Sequence, residues 1–277
     1  MSTATVHERA YAKLNLVLHV GPPRPDGLHP LCSIFASIDL ADDVHAEPAQ
    51  ADTVECPSVA GPNLAEAALR AFRDRIPSLP PLSVRIEKRI PVAAGLGGGS
   101  ADAAAVLRAA NRVAGEPLDG AALRDLGAQL GSDVPSQVEP AHALVQGVGE
   151  LVEPLELPPL AAVLVPRREG LSTAEVYAEL DRIGGGREEL DAGRLRAVAG
   201  AGPTALVAAL ENDLQPAALS LRPELAEVLD SLRAAGAQGA LVSGSGPTCF
   251  GLFDGRAAAE RAAAAIDGAL VAGLRAG

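Results

Sequence analysis

The chain of 277 residues has a formal net charge of −12, and its length and apolar content suit one large or two modest domains with a real core. Nucleic acids and anionic membranes are disfavoured as partners, because both bind basic protein surfaces. The same charge disfavours ATP at long range, so any phosphate site has to be made locally positive by backbone amides, a lysine or a bound cation.

The beginning of the chain and its cysteines predict the compartment. Met1 to Arg9 lacks the basic stretch and apolar run of a secretory signal, and nowhere does an apolar run approach membrane-spanning length. Cys32, Cys56 and Cys249 are odd in number and lack metal-ligand spacing, which favours reduced thiols. We therefore expect a cytoplasmic protein with no disulfide and no zinc.

The first predicted strand lies near Val6 to Val20 and contains a lysine that needs a partner. Alternating apolar residues from Leu14 to Val20 form one face, so Lys13 and Asn15 lie together on the other. The alternative is an edge strand whose lysine extends into water.

A strand, a glycine-rich loop and a helix follow one another in the middle of the first half. Leu82 to Lys88 alternates as a half-buried strand does, and Ala101 to Val113 is a strong helix former with Ser100 as its predicted N-cap. The glycines at 95, 97, 98 and 99 let the backbone approach a ligand closely. Helix-start amides facing such a loop predict a phosphate site. Further helices are predicted near Leu64 to Arg75 and Leu123 to Leu130.

Three other interpretations of the glycine loop fit less well. A Walker loop needs a lysine where this chain has Gly-Gly-Ser, and a dinucleotide fingerprint needs a third glycine at the place of Ser100. A flexible hinge is the commoner meaning of a glycine cluster, but hinges do not join a strand directly to a capped helix. The phosphate loop is therefore favoured over the hinge.

An aspartate stands in a turn after the next helix. Asp133 belongs to Gly131-Ser-Asp-Val-Pro135, where it either caps a turn or the following helix, or has a functional role. Taken alone, the capping interpretation is favoured for Asp133, as the edge interpretation is for Lys13. Their combination with the glycine loop favours function.

A proline-rich segment, Glu153 to Pro159, predicts a joint between two domains, residues 1–155 and residues 156–277. The second domain contains another glycine loop, Ser243 to Phe250, between two predicted strands. Its other predicted elements are a strand at Leu160 to Val165, helices at Thr173 to Leu180 and Pro223 to Gly236, and strands at Ala240 to Val242 and Phe250 to Phe253.

Seven segments together resemble the superfamily of galactokinase, homoserine kinase, mevalonate kinase and phosphomevalonate kinase, abbreviated GHMP. They occur in the family order over nearly the whole chain: Ala12 to Leu16, Asp26 to His29, Pro91 to Ala104, Gly131 to Pro135, Ser172 to Tyr177, Asn212 to Leu214 and Ser243 to Phe250. The match is closer to the branch that phosphorylates 4-diphosphocytidyl-2-C-methyl-D-erythritol in the non-mevalonate isoprenoid pathway.

The resemblance implies an α+β fold of two domains, an N-terminal ribosomal-protein-S5-like ATP domain and a C-terminal ferredoxin-like α/β-plait domain. It implies ATP and Mg²⁺ as cofactors, small molecules as the only ligands, and a monomer or weak homodimer.

The resemblance also assigns roles to residues. Asp133 would accept the proton of the substrate 2-hydroxyl, and Lys13 would orient that hydroxyl and stabilise charge near the transferred phosphoryl group. Ser100 would lie close to the magnesium, whose ligands stay open because Asp102 suits a capping role as well as a metal contact. The ATP phosphates would be held by Pro91, Val92, Ala93, Ala94, Gly95, Leu96, Gly97, Gly98, Gly99, Ser100 and Ala101.

The substrate residues implied by the resemblance include one departure from the family pattern. Leu28 stands where a tyrosine is usual, which leaves Tyr177 as the single ring to stack on the cytosine. The residues expected to contact the substrate are Asn15, His29, Thr173, Tyr177, Gly244, Ser245 and Gly246.

Two other functions remain open. One is a superfamily kinase for another small alcohol, such as homoserine or mevalonate, which would not be expected to share Asp26-Gly-Leu-His29. The other is a non-catalytic nucleotide-binding module, against which the presence of both Lys13 and Asp133 argues.

Overall fold

The computed structural model describes residues 5–59, 61, 63–167 and 169–275. Its strands are β1 (Val6–Val20), β2 (Leu31–Pro48), β3 (Thr53–Glu55), β4 (Leu82–Glu87), β5 (Ala143–Gly147), β6 (Leu151–Pro154), β7 (Ala161–Val165), β8 (Glu211–Asn212), β9 (Gly239–Val242), β10 (Cys249–Phe253) and β11 (Leu270–Gly273). Its helices are α1 (Leu64–Arg75), α2 (Gly98–Val113), α3 (Gly120–Ala128), α4 (Val134–Val138), α5 (Thr173–Arg182), α6 (Ala192–Gly200), α7 (Pro203–Ala208), α8 (Gln215–Leu221), α9 (Leu225–Ala234) and α10 (Arg256–Ala263).

Contacts divide the chain into two compact units, and neither is continuous in sequence. Unit 1 comprises Met1–Ala12, Leu40–Val92 and Gly97–Pro140, and unit 2 comprises Lys13–Asp39, Ala93–Leu96 and Ala141–Gly277. The long strands β1 and β2 supply residues to both units. One end of β2 pairs with β4 of unit 1 and the other with β5 of unit 2. The predicted division into residues 1–155 and 156–277 is a single cut in the sequence, and it stays a prediction.

Unit 1 is a small sheet covered by helices. Strand β4 pairs antiparallel with the Asp43–Pro48 end of β2 and parallel with β3. The alternation predicted for β4 is confirmed, because Leu82, Val84 and Ile86 are buried in the core with α1 and α2. The many alanines of α2 let the neighbouring helices and strands approach it closely, and ten of its sixteen residues are buried.

Unit 2 contains a four-stranded antiparallel sheet in the order β11-β7-β10-β9. In the chain, β7 is followed by α5 to α9 with the short β8, then by β9, β10, α10 and β11. This strand order and alternation of elements define the ferredoxin-like α/β plait. The predicted C-terminal architecture is therefore confirmed.

Two helices begin earlier than the sequence predicts. Helix α2 begins at Gly98 with Gly97 as its N-cap, so the prediction of Ser100 as N-cap is wrong. The amide of Ala101 already donates to the Gly97 carbonyl at 2.9 Å, which places Ser100 inside the first turn. Helix α3 likewise begins at Gly120, where the Asp119 side chain accepts from the Ala122 amide.

No helix within the described ranges is both long and apolar enough to cross a membrane.

Candidate active site

The lysine of β1 is buried and held by an asparagine two residues away. Lys13 Nζ donates to Asn15 Oδ1 at 2.7 Å and lies 4.5 Å from the centroid of the Phe35 ring. Asn15 Nδ2 donates in turn to Ser33 Oγ at 3.0 Å, and this hydroxyl donates to the Val17 carbonyl at 2.5 Å. Since only 6% of Lys13 is exposed and its ammonium binds Asn15, the alternative of a lysine that extends into water is wrong.

The first part of the glycine loop is fixed by the second glycine loop. Within unit 2, the Thr248 amide donates to the Ala94 carbonyl at 3.3 Å, and Ser243 Oγ donates to the Gly95 carbonyl at 2.9 Å. These bonds join residues 93–96 to residues 243–248, two segments far apart in sequence. The two predicted glycine loops therefore meet.

Gly95 is needed where the two loops meet. Its φ of +74° is a left-handed conformation that favours glycine. A Cβ at this position would overlap the Ser243 carbonyl oxygen and lie 2.8 Å from that of Gly246. Both the backbone conformation and the space therefore exclude a side chain.

The buried lysine lies beside this loop junction. The Lys13 amide donates to the Leu96 carbonyl at 3.0 Å. A Cβ on Gly244 would lie 3.1 Å from Asn15 Oδ1 and 3.7 Å from Lys13 Nζ, so the backbone of Gly244 faces the lysine–asparagine pair. Four predicted site residues, Lys13, Asn15, Leu96 and Gly244, are thus brought together within unit 2.

Two hydroxyls of the predicted substrate set are also adjacent. Thr173 is the first residue of α5, and its Oγ1 lies 3.0 Å from Ser245 Oγ, close enough for a hydrogen bond. Ser245 is buried while Thr173 is exposed. The pair offers both donors and acceptors to a polar ligand.

The predicted cytidine residues form a second group in unit 2. The His29 and Tyr177 rings lie 5.0 Å apart between centroids, at an angle of 41°. His29 Nδ1 is 2.9 Å from the Gly21 carbonyl oxygen, which can only accept, so this nitrogen carries the proton. Nε2 lies 3.4 Å from an Asp181 carboxylate oxygen. Leu28 beside it is half exposed, with 51% of its surface accessible.

The second part of the glycine loop belongs to unit 1 and begins α2. No side chain caps the first turn at Gly97, and the turn contains no acidic residue. Its leading amides have no partner within the helix and suit an anion. A Cβ on Gly98 would lie 2.9 Å from Ile90 Cγ2 and 3.4 Å from Lys88 Nζ, so a buried ammonium group lies directly behind the helix start.

Lys88 joins two buried carboxylates of unit 1. Its Nζ lies 2.5 Å from Asp42 Oδ2 and 2.6 Å from Asp102 Oδ2, and all three side chains are buried. Asp42 Oδ1 also accepts from the amides of Arg89 and Ile90. This cluster anchors the N-terminal part of α2, just after its first turn, to the end of β4.

Asp102 does not cap α2, which corrects that expectation, because its buried side chain binds Lys88 instead. Its contact with a metal stays a prediction. Its Oδ1 is buried without a hydrogen-bond partner within the described part of the chain. Burial raises the pKa of the Asp102 carboxyl to about 7, because Lys88 compensates only part of the desolvation and Asp42 adds a like charge. The sequence shows a lysine at the end of a strand before the loop, but it does not show that Asp42 and Asp102 share it.

Removing this carboxyl is expected to flatten the pH dependence of stability. A pKa raised from 3.8 to about 7 means that the folded state binds the proton more tightly than the unfolded state. The resulting stabilisation is complete below about pH 4 and is lost as the pH rises through about 7, with a slope of up to roughly 1.4 kcal/mol per pH unit. The Asp102→Asn variant lacks this contribution.

Urea unfolding without nucleotide, from pH 5 to pH 8, measures this difference. The free energy of unfolding of the unmodified protein should fall more steeply with pH than that of Asp102→Asn. Replacement of the exposed Asp125 by Asn serves as the control and should leave the slope unchanged. Equal slopes for Asp102→Asn and the unmodified protein would refute the raised pKa.

Asp133 occupies the turn before α4 in unit 1. It has the N-cap position of this helix, but its side chain makes no capping hydrogen bond, and it is partly exposed. The turn is fixed instead by Ser136 Oγ, which donates to the Asp133 carbonyl at 2.8 Å. The interpretation of Asp133 as a side-chain cap of the following helix is therefore wrong.

The predicted site residues are distributed over both units. Unit 2 contains the catalytic candidate Lys13, the loop residues Ala93, Ala94, Gly95 and Leu96, and the substrate candidates Asn15, His29, Thr173, Tyr177, Gly244, Ser245 and Gly246. Unit 1 contains Pro91, Val92, Gly97, Gly98, Gly99, Ser100, Ala101 and Asp133.

Two family models match the chain. The model described as "GHMP kinases N terminal domain" matches residues 63–139, and the one described as "GHMP kinases C terminal" matches residues 195–272. The first match includes the glycine-rich start of α2 and Asp133. The second includes Gly244, Ser245 and Gly246.

Curated relatives resemble nearly the whole chain. A protein of Anaeromyxobacter dehalogenans named 4-diphosphocytidyl-2-C-methyl-D-erythritol kinase is 45% identical over 271 residues, covering 94% of this chain and 84% of the relative. A protein of the same name from Rhizobium etli is 40% identical, covering 94% and 90%.

Solved structures share the fold. The crystal structure titled 4-(cytidine 5'-diphospho)-2C-methyl-D-erythritol kinase is 36% identical with a TM-score of 0.84, covering 98% of this chain and all of that one. A homoserine kinase from Cytophaga hutchinsonii is 17% identical with a TM-score of 0.73, covering 100% and 96%, which is a likeness of fold alone.

Proposed function

Because the chain belongs to the GHMP kinase family and, within it, to the 4-diphosphocytidyl-2-C-methyl-D-erythritol kinases, we propose that it phosphorylates the 2-hydroxyl of 4-diphosphocytidyl-2-C-methyl-D-erythritol. ATP is the phosphoryl donor, and the products are the 2-phosphate and ADP. The reaction would serve the non-mevalonate pathway to isopentenyl diphosphate in the cytoplasm. We also propose residues 1–155 and 156–277 as the two family domains.

The observation that supports a phosphotransfer site best is the buried ammonium of Lys13. A lysine is costly to bury, and this one is held by Asn15 beside the backbone of Gly244 and of Leu96. A fixed positive charge among glycine backbone groups suits a phosphoryl group in transfer. An ordinary structural lysine would extend into water instead.

The ATP phosphates are proposed to bind the glycine loop from Gly95 to Ala101. The amides at the uncapped start of α2 and the positive end of its dipole supply the local positive charge that a protein of net charge −12 needs. Lys88 behind Gly98 adds no net positive charge there, because Asp42 and Asp102 pair with its ammonium.

Magnesium is proposed to enter with the nucleotide, since it neutralises phosphate charge when bound. The described residues contain no group of three or more His, Cys, Asp or Glu side chains that could hold a metal ion. Magnesium commonly relies on substrate phosphates and water with few protein ligands, which fits such a site. Ser100 in the first turn of α2 is the proposed nearby hydroxyl.

The proposed chemistry assigns separate tasks to two side chains. Asp133 accepts the proton of the substrate hydroxyl, and Lys13 orients that hydroxyl and stabilises the developing charge. Phosphoryl transfer passes through a loose transition state, so positioning and electrostatics supply most of the rate enhancement. Asn15 contributes by fixing the direction of the Lys13 ammonium.

The cytidine end is proposed to bind at His29 and Tyr177. His29 Nδ1 donates to the Gly21 carbonyl, which leaves Nε2 as the ring nitrogen for a hydrogen bond with the cytosine. The Tyr177 ring offers a stacking surface beside it. Thr173, Ser245 and the backbone of Gly246 are proposed to contact the remainder of the substrate.

Adding a ring at Leu28 is expected to tighten cytidine binding. This exposed side chain precedes His29, and a stacked aromatic ring contributes about 1–3 kcal/mol per base in nucleic-acid binders. We expect the Leu28→Tyr variant to have a KM for the cytidine substrate at least about 5-fold lower, with the KM for ATP unchanged. Leu151→Tyr, at another exposed leucine, is the control. An unchanged or higher KM contradicts a stacking role at position 28.

One assay tests the proposed function against its alternatives. The purified protein is incubated with ATP, magnesium and, separately, 4-diphosphocytidyl-2-C-methyl-D-erythritol, homoserine or mevalonate, and ADP release is followed. Turnover with the cytidine compound alone is expected. Turnover with another alcohol would indicate a different GHMP kinase, and nucleotide binding without turnover would indicate a non-catalytic module.

A further inference from the structure

Two adjacent residues at the short strand β8 bind different parts of unit 2. Asn212 and Asp213 lie at the end of β8, with Asn212 buried and Asp213 largely so. Strand β8 pairs in parallel with β1 at Val17 and Leu18, and the Asp213 amide donates to the Leu18 carbonyl. Their side chains have no task in the proposed reaction.

Asn212 binds the beginning of the second glycine loop. Its Nδ2 donates to the carbonyls of Val242 and Gly244, both at 2.8 Å, and its Oδ1 accepts from the Leu214 amide at 2.9 Å. Both amide protons are therefore used on the segment that carries Gly244. The backbone of Gly244 is the part of this loop that faces Lys13 and Asn15.

Asp213 binds the end of β1 together with an arginine. Its Oδ2 accepts from the Val20 amide at 2.9 Å, and the Arg187 guanidinium binds both carboxylate oxygens, at 2.7 and 2.8 Å. The Arg187 amide donates to the Val20 carbonyl at 2.8 Å. Arg187 and Asp213 thus hold Val20 at both its amide and its carbonyl.

The residue after Val20 orients the proposed cytidine ligand His29. The Gly21 carbonyl accepts from His29 Nδ1, and the Gly21 amide donates to the Pro30 carbonyl at 2.8 Å. A shift of the Val20–Gly21 backbone therefore turns or releases the imidazole. Hydrogen bonds thus join Arg187 and Asp213 to Val20, and His29 to Gly21, the next residue in the chain.

We propose that Asn212 and Asp213 are positioning residues with separate effects, Asn212 on the phosphoryl-transfer loop at Gly244 and Asp213 on the cytidine-binding histidine. The kinetic part of this inference rests on the proposed function. Neither side chain touches the substrate, and each acts through backbone that does.

The kinetic experiment compares Asn212→Ser, Asp213→Asn and Arg187→Met. A hydrogen bond involving a charged group is worth about 1.5–3 kcal/mol, which corresponds to about 10- to 100-fold. Asp213→Asn and Arg187→Met should raise the KM for the cytidine substrate by about this factor, with kcat within about 3-fold of the unmodified protein. Asn212→Ser should instead lower kcat by about 10-fold or more, with little change in KM.

The control is Arg196→Met, which removes another bidentate arginine–carboxylate pair of unit 2, that with Glu153. It should leave both KM and kcat unchanged. Lower thermal stability in all variants with unaltered kinetic constants, or the same KM-to-kcat pattern for Asn212→Ser and Asp213→Asn, would overturn the proposal.

Hydrogen exchange followed by mass spectrometry tests the positioning without reference to the reaction. Asp213→Asn should speed amide exchange in residues 17–30, and Asn212→Ser should speed it in residues 241–250, each leaving the other segment protected. Absence of this separation refutes the inference even if the protein is an active kinase. Lack of turnover by the unmodified protein refutes the proposed function instead, while the exchange result still decides the positioning.

Discussion

Replacing Asp133 by alanine is expected to lower kcat by about 100- to 10,000-fold, because the substrate hydroxyl loses the base that accepts its proton. ATP binding, measured by calorimetry, should persist, since the glycine loop is intact. ADP release with saturating substrate measures kcat.

Lys13→Ala is expected to give a comparable loss for a different reason. The variant removes the ammonium proposed to stabilise the transferred charge and leaves buried Asn15 Oδ1 without this donor. Lys13→Met keeps most of the apolar volume beside the Phe35 ring and separates loss of charge from loss of packing.

The matched control for these variants is Asp125→Ala, at an exposed aspartate of α3 in the same unit as Asp133. It should retain full turnover. Near-normal activity of purified Asp133→Ala would remove it from the role of base. Loss of ATP binding in Lys13→Ala would show that the lysine acts on the nucleotide and not on the transfer step.

Local patterns in the sequence predict much of the fold. The alternation in β1 and β4 is visible because one strand face is buried, and the limits of α1 are correct because polar and charged residues mark its ends. The order of elements in the C-terminal plait also follows from the resemblance. The strand alternation and the helix limits depend on neighbouring residues, which a sequence displays directly.

The start of α2 shows why such patterns fail at the site itself. Glycine is a poor helix former, so propensity places the helix start after the glycines and makes Ser100 the cap. The structure begins the helix at Gly98, where packing against Ile90 and Lys88 leaves no room for a side chain. Tertiary contacts override propensity at this position.

Long-range polar contacts were equally hidden in the sequence. Lys88 is shared by Asp42 and Asp102, and Asn212 binds the Gly244 carbonyl, but no spacing along the chain indicates either interaction. Only the resemblance to a family predicts that His29 and Tyr177 share a binding site. The sequence does not show which distant segments come together in the folded chain.

The two glycine loops approach each other closely at Gly95, so we expect the Gly95→Ala variant to lose both stability and kcat. An alanine at φ +74° costs roughly 1–2 kcal/mol in backbone conformation alone. Its Cβ would also overlap the Ser243 carbonyl oxygen and crowd that of Gly246, so the two loops would have to separate. Separation would break the Ser243 bond to residue 95 and shift the backbone beside Lys13.

Gly184→Ala is the control that introduces the backbone strain without the steric overlap. Gly184 lies in the same unit with a φ of +67°, but nothing lies within 4 Å of its Cβ position. Both variants should lose stability through backbone strain in thermal unfolding. Gly95→Ala alone should also lose at least about 10-fold in kcat, because the loop junction positions Lys13 and Gly244. Equal stability and equal kcat for the two variants would mean that the close approach of the loops has no consequence in solution.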